Sequence, residues 1–146
     1  MSAEQNKAAV RRYYEEIGNQ RNFAVADEIF DSNFKLFPDS LPPYGAEGVK
    51  QFMSWFIGVK FPDLHVVIDG LICEGDVVAS RVTLHATQNA PLDWIAGYGS
   101  IAPTGKTFDL HEYIFWRVID GRIVERWCCF DTLEMLYQLG AIDVNG

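Results

Sequence analysis

FDLHEYIFWRVIDGRIVERWCCFDTLEMLYQLG, residues 108–140, is the stretch on which the reading of this chain turns. Asp120-Gly121 is a hairpin signal between two runs of aromatic and β-branched residues. The stretch therefore reads as strand (Thr107 to Val118), turn, strand (Arg122 to Phe130) and short helix. Ionisable side chains are set into these strands at alternating positions: Asp109, His111 and Glu125, followed by Asp131. Burying such groups without partners costs several kcal/mol, roughly 2–7 for a neutral polar group and more for a charge. Either they work in a pocket, or they lie on a solvated sheet face.

The register of the hairpin bears on that choice. A two-residue turn pairs Trp116 with Glu125 and His111 with Phe130, which puts His111 and Glu125 on opposite faces. A three-residue loop, Ile119-Asp120-Gly121 with Gly121 left-handed, creates a bulge and pairs Phe115 with Glu125, Tyr113 with Trp127 and Asp109 with Asp131. One face then holds Asp109, His111, Tyr113, Phe115, Glu125, Trp127 and Asp131. The other holds Leu110, Ile114, Trp116, Val118, Val124, Cys128 and Phe130, with Glu112 and Arg126 as cross-strand neighbours. The bulged register is favoured because it separates an ionisable–aromatic face from an aliphatic one. The first face is expected to line a pocket and the second to be buried between subunits.

Upstream, Val10, Tyr13, Tyr14 and Ile17 recur at helical spacing over Glu4 to Ile17, with Gly18 as the stop. Asn22 suits the cap of a second short helix, Phe23 to Phe30. Lys35 to Tyr44, with Pro38, Pro42 and Pro43, must be extended or looped. A third helix spans Glu47 to Val59. Alternation then marks strands over Leu64 to Glu74 and Val77 to Ala86 about a Gly75-Asp76 turn. A long connection, Gln88 to Lys106, precedes the hairpin. Asp131-x-x-Glu134 forms a capping box for a last helix, Leu133 to Leu139, closed by Gly140. Helices first and antiparallel strands after is an α+β pattern, and a curved sheet under the helices leaves a concave face for a pocket.

The 146 residues form one domain, 1–146, long enough for a full core. A formal charge of −8 disfavours nucleic acid and anionic membrane as partners. No apolar run approaches the roughly 20 residues of a membrane span, and the polar start carries no signal-peptide pattern. Three cysteines, Cys73, Cys128 and Cys129, make a poor disulfide framework, and scattered histidines make a poor zinc site. A reducing, cytoplasmic setting is the expectation.

The order of motifs resembles the SnoaL-like polyketide cyclases, or ester cyclases, of the nuclear-transport-factor-2-like superfamily. The resemblance rests on Gly45-x-x-Gly48-Val49 with Phe52, on Phe61-Pro62-Asp63-Leu64 and on residues 101–106, IAPTGK. It continues through Asp120-Gly121-Arg122-Ile123-Val124-Glu125, Trp127, Asp131-Thr132-Leu133 and Gln138-Leu139-Gly140. It implies a cone-shaped α+β barrel, a bent antiparallel sheet with N-terminal helices on its concave side, and a homodimer formed through the outer face. It implies intramolecular aldol cyclisation of an apolar, oxygenated small molecule with no metal or organic cofactor. By position, Glu125 and His111 become the acid/base pair, with Asp109 beside them. Glu at 125 departs from the Asp of characterised cyclases, and Cys128-Cys129 departs from the usual residues after the tryptophan.

A carboxyl desolvated by aromatic walls gains proton affinity, as an aldol catalyst needs, and His111 suits a carbonyl or enolate oxygen. Tyr13, Trp55, Tyr113, Trp127 and Asp131 are the expected pocket residues, Asp131 doubling as a helix cap, with Tyr14, Phe37 and Phe56 as further aromatics. Trp94, Ile95 and Tyr98 suit a lid. Neither cysteine of the pair has an activating base. Two other readings stay open. One is an epoxide hydrolase or ketosteroid-isomerase-like enzyme, the hydrolase using Arg81 between Asp109 and Glu125. The other is a ligand-binding module without catalysis.

Overall fold

A computed structural model of the chain describes residues 2–37, 45–95 and 99–143, with only the backbone of Phe37. Pro38, Pro42, Pro43 and Tyr98 lie outside the described residues. Helix α1 (Ala3–Arg12) opens on a capping box: the Ser2 hydroxyl accepts from the Gln5 amide, and the Gln5 side chain accepts from the Ser2 amide. The helix runs on through a widened π turn, Tyr13–Asn19. The extra residue in that turn lets the consecutive Tyr13 and Tyr14 both face inward. Phe23–Val25 is a 3₁₀ turn leading into α2 (Ala26–Ile29), and Asn22 makes no side-chain cap bond, contrary to expectation.

Strand β1 (Phe30–Phe37) was not legible as a strand. It pairs parallel with a strand about ninety residues away, Lys35 opposite Glu125 and Phe37 opposite Trp127, and nothing local marks that partner. Helix α3 (Gly45–Trp55) ends in a second π turn, Phe56–Lys60. Then come β2 (His65–Glu74), β3 (Val77–Thr87), β4 (Thr107–Ile119), β5 (Arg122–Phe130) and α4 (Thr132–Leu139). Asp131 caps α4 by accepting from the Glu134 amide, and Gly140 closes it at φ 71°. The five strands lie in the order β1-β5-β4-β3-β2 in one curled, unclosed sheet, antiparallel except at the β1–β5 edge. Helices cover the concave side.

The two-residue register forms at the turn but does not run the length of the hairpin. Asp120 and Gly121 both have positive φ, 49° and 77°, and make a two-residue turn with Ile119 opposite Arg122. One step later Val124 is extra, and the pairing resumes with Arg117 opposite Glu125 and Phe115 opposite Trp127. Turn and bulge together restore the odd-with-odd face of the favoured register, two residues out of step with its pairs.

That face is the outer one, which corrects the expectation that it lines the cone. In β4 the even positions Phe108, Leu110, Glu112, Ile114, Trp116 and Val118 are buried, while the odd positions are exposed or half-exposed. The reason is packing. The concave face must cover Val10, Tyr13, Tyr14 and Ile17 of the first helix, and the even positions, with Val78, Val82 and Leu84 of β3, supply the apolar surface. Among the described residues no helix is long and apolar enough to cross a membrane.

Candidate active site

Between the helices and the concave face lies a cavity of about 570 Å³, within the usual range of small-molecule sites, about 300–1,000 Å³. Its floor is built from the sheet: Val66, Leu84, Glu112, Arg126, Cys128 and Phe130. Tyr13, Tyr14 and Gly18 come from the first helix, and Phe52, Met53, Trp55 and Phe56 from α3 and the turn after it. Trp94 and Ile95, expected as lid residues, close one side. Lys60, buried, ties this mouth together: its Nζ donates to the Pro91 carbonyl and to Asp93 Oδ1, both at 3.0 Å, and sits 5.3 Å from the Trp55 ring and 5.8 Å from the Trp94 ring.

Glu112 and Arg126 are the only charged residues among the described lining residues. Alternation on β4 and the bulge in β5 bring both onto the concave face, four residue pairs apart along the ladder, with Ile114 and Cys128 between them on that face. Glu112 is 5% exposed, and no described side chain or amide hydrogen-bonds its carboxyl. Burial pushes this carboxyl up to about 7, although the Arg126 charge pulls the other way. Arg126 stays cationic: burial opposes its charge, but the Tyr13 phenol, the Cys128 thiol and Glu112 together hold its proton more firmly. Its Nη1 reaches Tyr13 Oη at 3.5 Å, a long bond, its Nη2 reaches the thiol Cys128 Sγ at 3.4 Å, and its Nε has no hydrogen-bond partner. The guanidinium lies 5.1 Å from the Trp116 ring and 5.7 Å from the Tyr13 ring. Burial pushes the Cys128 thiol up to about 11, so it is protonated at neutral pH and no nucleophile.

The expected catalytic group lies elsewhere. Asp109 pairs with His85 on the outer face. His111 Nδ1 is 3.1 Å from the Thr83 hydroxyl, which in turn donates to Asp69 at 2.7 Å. Glu125 pairs with Arg117 at 3.0 Å, and the Arg117 guanidinium lies over Trp127. Tyr113 is exposed, and Asp131 is taken up in capping α4. None of these lines the cavity; of the expected pocket residues, Tyr13 and Trp55 do. Arg81 lies on the outer face as well, beside a shallow hollow of about 310 Å³ with Tyr113 and Phe115.

The ionisable-rich face of the hairpin masks Glu112 and Arg126 in the sequence. The better signal was the opposite one: two charges on an otherwise apolar face are the anomaly, since Glu and Arg are almost never buried without a reason.

The sequence model of the SnoaL-like polyketide cyclases matches residues 8–139. No curated protein matches the chain. Among solved structures, a proposed SnoaL-like polyketide cyclase from Jannaschia sp. superposes with a TM-score of 0.76 at 23% identity, covering 97% of this chain and 95% of that one. IdmH, a proposed polyketide cyclase from Streptomyces antibioticus, is 28% identical with a TM-score of 0.70, covering 93% and 99%. A proposed polyketide cyclase from Bacillus cereus is 26% identical with a TM-score of 0.72, covering 95% and 83%. The curled sheet with helices in its concavity is thus the cone of the nuclear-transport-factor-2-like fold.

Proposed function

Because the chain belongs to the SnoaL-like polyketide cyclases, we propose that it is a proton-transfer enzyme closing a carbon–carbon bond within an apolar, oxygenated small molecule. Glu112 is its acid/base and Arg126 the partner of the developing oxyanion. One observation carries this reading: a buried carboxyl poised near neutrality, with no hydrogen-bond partner among the described residues, shares an aromatic cavity with a buried guanidinium.

The chemistry follows from those two groups. Glu112 as carboxylate removes a proton next to a carbonyl. The charge moves to the enolate oxygen, where the fixed Arg126 cation stabilises it more than it stabilises the neutral ketone. The enolate carbon attacks a second carbonyl of the same molecule, and protonated Glu112 returns the proton to the new alkoxide. The proton balance closes and no electron is lost, so the step calls on no cofactor. Trp55, Phe56 and Trp94 keep water from the enolate.

The epoxide-hydrolase alternative needs two carboxylates about an arginine, and Arg81, Asp109 and Glu125 all lie outside the cavity. Glu112 is the only carboxylate among the described lining residues, which favours the single proton shuttle.

A β-keto ester serves as an enolisable probe. Its deuterium uptake from D₂O, followed by NMR, is expected to rise with pH through about 7 and then level, because the base must be ionised. A rate without that inflection would rule out Glu112 as the base.

The outer face supports the homodimer that the resemblance implied. Ile72, Ala79, Phe115 and Trp127 form one register row across four strands, and Ile72 and Phe115 are 73% and 54% exposed. Light scattering is expected to give the mass of two chains, and Phe115→Glu the mass of one; a single-chain mass for the unaltered protein would reject the dimer. The free Cys73, Cys128 and Cys129 accord with a cytoplasmic setting.

A further inference from the structure

The charge balance of the cavity bears on what its ligand must be. Arg126 is the only cation among the described lining residues, and no described carboxylate forms an ion pair with it. A guanidinium has five N–H donors in a fixed fork. Here Nε has no partner, Nη1 makes a long bond to the Tyr13 phenol, and Nη2 donates to the neutral Cys128 thiol, a weak acceptor. A buried cation without a counterion is unstable unless something in the site supplies one. Glu112 cannot serve as a constant counterion, since a carboxyl poised at about 7 is protonated for much of the time at neutral pH. The lining residues Phe52, Trp55, Phe56, Trp94 and Leu36 carry no charge, and Lys60 at the mouth is already paired with Asp93.

Resting on the assignment of this cavity as the active site, we infer that the ligand brings the missing negative charge itself. It is an apolar molecule that carries a carboxylate, bound to Arg126. Planar oxygen pairs match the guanidinium fork, and the Trp116 and Tyr13 rings lie beside the guanidinium. The groups facing Arg126 are Tyr13 and Tyr14 from the first helix, Glu112 from β4 and Cys128 from β5. Of the shifts resolved among these, only Glu112 titrates between about pH 6 and pH 8, since burial raises both Tyr14 and Cys128 well above that window. Ionised Glu112 competes for Arg126, so an anionic ligand binds more tightly below about pH 7 than above it.

The test uses 2-naphthoate and its neutral amide, 2-naphthamide, titrated calorimetrically into the full chain. The acid is expected to bind at least about tenfold tighter than the amide at about pH 6, with a smaller ratio at about pH 8. Arg126→Gln is expected to abolish the preference. Glu112→Gln is expected to keep the preference and lose its pH dependence. Equal binding of acid and amide, or a preference that survives Arg126→Gln, overturns the inference. If Arg126→Gln fails to fold, the acid-to-amide ratio of the unaltered protein at the two pH values decides it. Loss of turnover in Glu112→Gln without an acid preference refutes this inference alone. An acid preference with full turnover in Glu112→Gln refutes the proton-transfer reading alone.

Discussion

Glu112→Gln is expected to lower the rate of proton exchange at an acidic C–H, and of ring closure on the true substrate, by about 10²–10⁴-fold, the usual worth of a positioned general base. Gln keeps the shape and the cavity wall but cannot take a proton, so KM should change little while kcat falls. The same substitution should alter stability in a pH-dependent way. Glu112 has its folded value raised from 4.5 to about 7 by burial. The folded chain therefore holds a proton that the unfolded chain has released. The stability tied to that proton is fully present below about 4.5 and is lost as pH rises through about 7. By pH 8 the loss amounts to at most about 3 kcal/mol. Denaturant titrations should show the unaltered protein weakening between about pH 5 and pH 8, with the Gln variant losing this component. A variant that weakens in step with the parent would mean that the carboxyl is not desolvated.

Trp116→Ala should be the most destabilising single change in the concave core. Trp116 is 0% exposed, its Nε1 donates to Ser80 at 2.9 Å, and its ring packs on Tyr13 and Tyr14. Truncating a buried aromatic of this kind costs about 3–5 kcal/mol, a large share of the roughly 5–15 kcal/mol that holds a domain together. For a chain of this size the melting temperature should fall by roughly 10 °C. Arg126 would also lose the ring 5.1 Å beneath its guanidinium, so any variant that still folds should bind the anionic probe more weakly. A shift of only a degree or two would show that the cavity region is not held by this packing.

Much of the architecture was legible because it is written in local patterns. The 3.6-residue spacing of Val10, Tyr13, Tyr14 and Ile17, the Gly75-Asp76 and Asp120-Gly121 turns and the Asp131 cap each mark their element, and the elements form where expected. What failed was non-local. β1 has no signature because its partner is β5, far along the chain. The face of the hairpin that lines the cone depends on a bulge at Val124, which no local residue type demanded. Which side of the sheet the helices cover is set by burial cost and not by any local pattern. Asp109, His111 and Glu125 find water, His85, Thr83 and Arg117 cheaply on an outer face, whereas the concave face must be apolar to hold the helices. Glu112 and Arg126 are visible in the sequence as charges on the aliphatic face, and their isolation there is the signal that marks the cavity.

The central claim is that chemistry belongs to the concave cavity and not to the ionisable outer face. It is tested most directly by measuring deuterium uptake into the same β-keto ester with Glu112→Gln and Glu125→Gln side by side. The structure predicts a loss of about a hundredfold or more for Glu112→Gln and near-parental rates for Glu125→Gln. Equal rates for Glu112→Gln and the parent, or a collapse with Glu125→Gln, would contradict it.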